Sequence, residues 1–553
     1  MSDAAMPSID ALRLEPAAEW FGRRLCALLD GASAPLQEPV SWCLHQWMQG
    51  HTCLDLQGRV QAPPKDEESA ERLEAAVPQA WRAPLESCGA VARAEAGSLH
   101  DLASPLVLEG RRLFLARCRS QEIALARSLA ARARAAAAWC PDGVVPQAIQ
   151  SSLGEIAGSM HPAQVEAVRC ASTRRLSMIT GGPGTGKTTV AARVIQTVLR
   201  VAQPGIQLLA PTGKAAARLQ EAIRARSADA TLSPQARQVL ASLQAETLHG
   251  AILRQGGEAV RRARLLIVDE TSMVDLERMH HLLRLASPEA SIVLLGDAHQ
   301  LASVEAGTVL ADLVREPAMR ACVATLSHSY RFPSDRGVGR LAAAVNAGDA
   351  DAVMTCLDAS SDGVRWVKVA TPAEVLTRAA QERERLGPET RILCGHRRGP
   401  DGSVRLNQSI VRGIAGGATG HFAGRPILIT VNDENTGLRN GDAGLMRRAP
   451  EGWVADFPDR DPVSAEQLPA HETAFALTIH KTQGSEYAAV VVALPARPSP
   501  VLTRELLYTG VTRTRGPVTV VAAEEVVRAA VGRSIERSSG LRERLQAAMA
   551  LGA

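Results

Sequence analysis

At 553 residues the chain is too long for a single hydrophobic core and is expected to divide into two to four domains. Its 46% hydrophobic and 22% charged residues are those of an ordinary soluble protein, and a formal charge of +4 over this length does not by itself indicate a nucleic-acid partner, so any such contact needs a local groove. Ten scattered cysteines with no Cys-x-x-Cys pair argue against a zinc ribbon and a disulfide framework, while "MSDAAMPSIDALRLEP" lacks the features of a signal peptide and no apolar run approaches a membrane span, so a reducing cytoplasm is the expected compartment.

Residues 1 to about 140 read mainly as helix. "EWFGRRLCALLDG" and "SWCLHQWMQG" carry apolar residues at helical spacing, and "QEIALARSLAARARAAAAW" is a strong helix former that should run until Pro141. Between them "SPLVLEGRRLFLARC" predicts two short strands joined at Glu-Gly. This region offers no catalytic constellation and is expected to be an interaction module.

From about residue 175 short β-rich runs alternate with helical patterns: "LSMIT", "GIQLLA", "RLLIVD" and "SIVLLGD", then "RILCG", "YAAVVVALP" and "PVTVVAA". Runs that end in polar residues and lead into helices predict parallel sheets with crossover helices, so the fold class is α/β. A break near residue 330 favours two sheets, giving domains at 1–140, 141–330 and 331–553. Turn-rich strands in "GRPILITVNDENTGLRNGDAG" and "GWVADFPD" predict a small β-barrel inserted at about 415–472.

"GGPGTGKTTV", residues 181–190, fits G-x-x-x-x-G-K-[ST] between a predicted strand and a helix. In that context the loop of Gly181, Gly182, Pro183, Gly184, Thr185 and Gly186 cradles phosphates with the backbone N–H groups of its non-proline residues, Lys187 reaches the β and γ phosphates of ATP, and Thr188, followed by Thr189, ligates Mg²⁺. "LLIVDETSM" sets Asp269 and Glu270 just past a strand, where the first would hold the Mg²⁺ shell and the second would orient or deprotonate the attacking water. "LLGDAHQLASVEAG" offers Asp297 and Gln300 to the γ phosphate or its water, and "LSHSYRF" and "LLYTGVTRTR" supply Arg331 and Arg513 for the charge that spreads over the phosphoryl oxygens. Hydrolysis of a nucleoside triphosphate is the expected chemistry.

These stretches, in this order over roughly residues 160–520, resemble the motifs of superfamily 1 DNA helicases, and within them the RecD family, alpha subunit of exodeoxyribonuclease V. "HPAQVEAV" with Gln164 looks like the adenine-reading Q motif, "LLAPTGKAAARL" like motif Ia, "ETLHG" like Ib and "ALTIHKTQGSEY" like V. The resemblance implies two RecA-like P-loop motor domains with ATP between them, an SH3-like insertion in the second, and single-stranded DNA across both. It places Gly484 and Glu486 near the nucleotide, and Thr212, Lys214, His249, Thr478, His480, Lys481 and Gln483 on or coupled to the DNA track. Tyr330 and Phe332 are candidates for stacking on bases, although packing is the expected role of tyrosines in such segments. Gly250, His299 and the absence of an aromatic before Gln164 depart from the pattern in places that touch DNA grip and adenine contacts and leave the phosphate chemistry.

The short N-terminal region, "HTCLDL" and the tail "RSIERSSGLRERL" resemble the subunit more than standalone RecD-like helicases. That resemblance implies a 5′→3′ motor in a heterotrimer with RecB and RecC, docked on RecC through residues 1 to about 110, with nuclease activity left to RecB.

Overall fold

Mostly apolar runs of three to six residues assemble into two parallel sheets that face one another across a cleft. The computed structural model describes residues 8–29, 34–62, 73–140, 143–228, 232–415, 420–458 and 460–551. The start of the chain at 1–7, Pro141 and the 416–419 part of the expected insertion lie outside the described residues. Among the described residues no helix is long and apolar enough to cross a membrane.

The first sheet has six strands in the order Val323–Leu326, Leu176–Gly181, Ser291–Gly296, Leu265–Val268, Ile206–Ala210 and Ala245–Thr247, all parallel. Strand side chains alternate between faces, so Leu266 and Val268 enter one core with Leu176 and Met178, while Leu265 and Ile267 enter the other with Ile179 and Val190. Burial on both faces is why these strands read as unbroken apolar runs. Of the six, the two outer strands Val323–Leu326 and Ala245–Thr247 are the ones the sequence did not announce, being short and partly exposed.

The second sheet has five parallel strands in the order Val364–Val367, Val518–Val521, Val490–Ala493, Arg391–Cys394 and Ala476–Thr478. Between the helix Ser403–Ala415 and the strand Ala476–Thr478 the chain makes a five-stranded antiparallel sheet, Val463–Ser464, Gly452–Asp456, Ala443–Ala449, Pro426–Ile429 and His471–Thr473, with its own core of Ile427, Ile429, Met446 and Phe457. A Cβ at Gly444 would stand 2.7 Å from the Phe457 ring, so that strand position has room for glycine alone.

Three expectations need correction. The N-terminal region is mixed, not mainly helical: a four-stranded sheet, Cys53–Asp55, Arg112–Leu115, Leu106–Glu109 and Val91–Ala94, packs with the helix Ala34–Met48. The predicted hairpin is its centre, turning at Gly110 with φ of 57°. The long helix spans Ala116–Arg134 and stops before the alanine run, because Ala136 bridges to Arg174, Ala137 N–H bonds the Thr173 carbonyl, and Trp139 Nε1 donates to the Ser172 carbonyl at 2.6 Å. Tertiary pairing of a tryptophan and a strand-like segment outweighs a few tenths of a kcal/mol per residue of helix propensity. Finally, that helix and the last helix, Leu541–Ala550, bury Ile123, Leu129, Leu541 and Leu545 in the core of the first sheet. Neither a boundary at 140 nor one motor running from 331 to 553 describes this packing.

Candidate functional site

The phosphate loop leaves the strand Leu176–Gly181 and enters the helix Lys187–Leu199 through Gly184 and Gly186, with φ of 75° and 85°. Side chains are excluded there twice over, since left-handed backbone disfavours them and a Cβ would stand 2.5 Å from Arg331 Cβ at Gly184 and 2.4 Å from Gln164 Nε2 at Gly186. Lys187 Nζ donates to the carbonyls of Gly181 at 2.6 Å and Gly182 at 3.1 Å. Gln164 is buried beneath the loop: Nε2 donates to the Thr185 carbonyl at 2.9 Å, and Oε1 accepts from His161 N–H and the Tyr330 hydroxyl. Its amide thus braces the loop, and one Nε2–H stays available to a ligand.

Asp269 and Glu270 follow the strand Leu265–Val268. Burial, then the neighbouring Glu270 carboxylate, raise the Asp269 pKa, while Lys187 opposes the shift. A half-buried acid pair beside a lysine is a donor set suited to a divalent cation. Glu270 holds left-handed backbone at φ 49° and ψ 40°, unusual for a residue with a side chain.

A cavity of about 890 Å³ between the two sheets is lined by Gln164, Pro183 to Thr189, Asp269, Glu270, Gln300, Arg331, Gly484, Glu486 and Arg513. About three hundred residues apart in sequence, the phosphate loop and the segment at 484–486 therefore share one chamber. Glu486 collects the cations around it: Arg331 at 2.6 Å, Arg515 at 3.2 Å and Arg218 at 3.6 Å. Burial alone would raise Glu486, but the hydrogen bond and charge of Arg331, with Arg218 and Arg515, hold its carboxyl below the usual range. Arg513 is buried and donates from Nε to the Thr509 carbonyl at 3.1 Å.

Arg218 and Tyr508 carry more of the site than the sequence reading gave them. Arg218 lies on the helix Gly213–Arg226 and crosses the cleft to donate to the Gly484 carbonyl at 2.7 Å. Its position four residues after Lys214, on the same helical face, was the available signal. Tyr508 donates to Asp297 at 2.9 Å, and a Cβ at Gly182 would stand 2.8 Å from its hydroxyl.

The residues expected on a DNA track scatter more. Thr478 and Lys481 line one groove of about 300 Å³ with Asn407 and Glu472, and Lys481 pairs with Glu472 at 2.6 Å. Lys214 faces the insertion across a second groove with Arg439 and Asp442, and burial, then Arg218, push its pKa down to about 8. His249 is exposed on the short helix Leu248–Leu253. Thr212 caps the helix Gly213–Arg226 by accepting from Ala215 N–H at 3.2 Å. Gln483 donates to the Leu301 carbonyl at 2.8 Å and so bridges the two sheets. His480 is half-buried, with a pKa lowered by burial and then Arg537. Tyr330 lies in the nucleotide-side cavity and Phe332 packs against the core of the second sheet.

Three family models match the chain: an AAA domain at residues 159–368, a UvrD-like helicase C-terminal domain at 473–521, and the N-terminal domain of the RecBCD enzyme subunit RecD at 15–114. The RecBCD enzyme subunit RecD of Mycolicibacterium smegmatis is 38% identical over 97% of this chain and 98% of its own length. That of Haemophilus influenzae is 31% identical over 69% of this chain and 72% of its own length. The ATP-dependent RecD2 DNA helicase of Deinococcus radiodurans is 30% identical over 76% of this chain but 56% of its own length.

Proposed function

The chain belongs to the RecD family of RecBCD enzyme subunits and is an ATP-dependent DNA helicase subunit; from that premise we propose that it moves 5′→3′ along one strand of a broken duplex, in a heterotrimer with RecB and RecC that prepares ends for homologous recombination. The observation that carries the reading is the single cavity that joins the phosphate loop, the acid pair, Gln300 and arginines from both sheets. Such a site responds to nucleotide by changing the separation of its walls.

Lys187 leaves the loop carbonyls for the β and γ phosphates, and Arg331 exchanges Glu486 for the γ phosphate as the walls approach. Arg513 joins it from the second motor, Glu270 orients the attacking water, and Gln300 senses the γ phosphate. Thr188 and Asp269 are the residues that would hold Mg²⁺, which supplies positive charge against the phosphate oxygens. Gln164 with its remaining N–H is the adenine contact. Loss of the γ phosphate returns Arg331 to Glu486 and lets the walls part.

Single-stranded DNA crosses both motors past Lys214, Thr478 and Lys481, and the inserted antiparallel sheet acts as an SH3-like barrel beside that path. Residues 1 to about 110 serve as the docking face for RecC, RecB carries the nuclease, and the assembly works in the cytoplasm. The extent of similarity supports a subunit over a standalone helicase, since the chain spans nearly all of the mycobacterial relative and just over half of the Deinococcus RecD2.

The test is the native mass of the tagged chain recovered from its host. Stoichiometric recovery with two larger partners supports the reading; recovery alone with active 5′→3′ unwinding makes it a standalone motor. In the purified full-length chain, Lys187→Gln should lower DNA-stimulated ATP turnover by about 10²-fold or more without changing the melting temperature. Normal turnover in that variant removes the site.

A further inference from the structure

We propose that Tyr508 is a positioning residue that holds Gln300 in place for hydrolysis through the Asp297 carboxylate, so that the first motor's γ-phosphate sensor is set by the second motor. The inference rests on the reading of Gln300 given above and adds a residue outside the arginine and acid set.

Asp297 closes the strand Ser291–Gly296 and is 1% exposed. Its Oδ2 accepts from two donors on opposite sides of the cleft, Gln300 Nε2 at 3.1 Å and the Tyr508 hydroxyl at 2.9 Å, and its Oδ1 accepts His299 N–H at 3.0 Å. Tyr508 stands on the helix Arg504–Val511, whose buried neighbours belong to the core of the second sheet. Two donors that share one charged oxygen fix each other's geometry, because a shift of either changes the field and angle available to the other.

The backbone beside Gln300 is held from the same side. Leu301 N–H donates to Thr509 Oγ1 at 3.0 Å, and the Leu301 carbonyl accepts Gln483 Nε2 at 2.8 Å. Both main-chain polar groups of the residue after Gln300 are therefore bound by the second motor, and Tyr508 adds the side-chain link. The same phenol rests on the phosphate loop at Gly182. Burial, then Asp297, push its ionisation well above the usual range, so it remains a donor at physiological pH. Movement of the second motor would carry the phenol off Asp297 and leave the carboxylate, with the Gln300 amide bound to it, without its anchor from the second sheet.

A group that positions Gln300 acts on the chemical step, and nucleotide binding stays with the phosphate loop. In the purified full-length chain with saturating single-stranded DNA, Tyr508→Phe keeps the ring in the core and removes the hydroxyl. It should lower kcat about tenfold and leave KM for ATP within about twofold. Added to Gln300→Ala, it should change kcat less than about twofold further, because the group it positions is gone. An unchanged kcat in Tyr508→Phe overturns the proposal while sparing the reading of Gln300. A full second loss in the double variant overturns it also, since the phenol would then act by another route. Undiminished turnover in Gln300→Ala alone is a different result: it withdraws the γ-phosphate role of Gln300, and the proposal falls with it.

Discussion

Glu270, proposed above to orient the attacking water, sits in a backbone region that a residue with a side chain seldom adopts. Its left-handed backbone, φ 49° and ψ 40°, is held in place by the turn Thr271–Met273 and by Glu270 N–H donating to Asp269 Oδ1 at 2.9 Å. Such a conformation costs a residue with a Cβ on the order of 1 kcal/mol or more, and glycine escapes the cost. Glu270→Gly should therefore abolish ATP turnover and raise the stability of the first motor by about 1 kcal/mol, while Glu270→Gln abolishes turnover with no gain. Urea unfolding of the three proteins separates these outcomes, and a glycine variant that unfolds at lower urea than the parent would show that no strain is stored. The place of Glu270 beside the phosphate loop was legible in "VDETSM" because an acid pair just past an apolar strand is a readable pattern, but its backbone was not, since propensity says nothing about a tertiary constraint. Arg218 and Tyr508 were illegible as functional for a related reason: arginine on a helix and tyrosine near a sheet have common structural uses, and only the fold brings them across the cleft.

Among the elements, the last helix is the clearest case of a sequence that predicts a shape and hides its place. "LRERLQAAMA" is a good helix former, yet its partner Ala116–Arg134 lies some four hundred residues earlier. The join is a buried ion network: Arg544 reaches Glu109 and Glu122 at 2.6 Å each, Arg119 reaches Glu109 at 2.8 Å, and all four side chains are no more than 1% exposed. Glu122 also accepts from Thr52, Ser539 and Gly540 N–H, so one carboxylate ties the N-terminal sheet, the long helix and the tail. Burial nonetheless raises the Glu122 pKa, with Arg544 the first opposing influence. Arg544→Ala would leave Glu122 without its arginine and Glu109 with Arg119 alone, and losing one partner of a buried pair costs about 3–5 kcal/mol. The expected result is a lowered melting temperature together with rapid proteolytic cutting in the stretch before residue 541. Cutting at the parent's rate would mean that apolar contacts alone hold the helix. The sheets themselves were more legible than this join, because central strands buried on both faces leave continuous apolar runs, whereas edge strands such as Ala245–Thr247 and Val364–Val367 are short and half covered.

At the scale of the whole molecule, the path proposed for DNA depends on an element inserted from one motor and read by the other. Lys214, on the first motor, borders a groove of about 630 Å³ whose far wall is Arg439, Asp442 and Arg460 of the insertion. Burial, Arg218 and Arg391 lower its pKa and Asp442 raises it, to a balance at about 8. Protonated Lys214 can bind a phosphate and neutral Lys214 cannot, so the free protein loses this contact as pH rises through about 8, and affinity for single-stranded DNA should fall between pH 7 and pH 9. A guanidinium stays charged across that range, so Lys214→Arg should flatten the decline, while Lys214→Gln should bind more weakly than the parent at pH 7, with a salt slope reduced by about 0.7, and approach the parent's affinity by pH 9. Fluorescence anisotropy of a labelled oligonucleotide measures each case, and an unaltered decline in Lys214→Arg would place the titrating group elsewhere. Asp442 supplies the sharper arm of the test. Removing its charge in Asp442→Asn withdraws the one influence that supports the protonated lysine, so the decline should begin at lower pH than in the parent. That shift would show that the insertion sets the charge of the first motor's side of the path, a dependence that neither motor could produce without it.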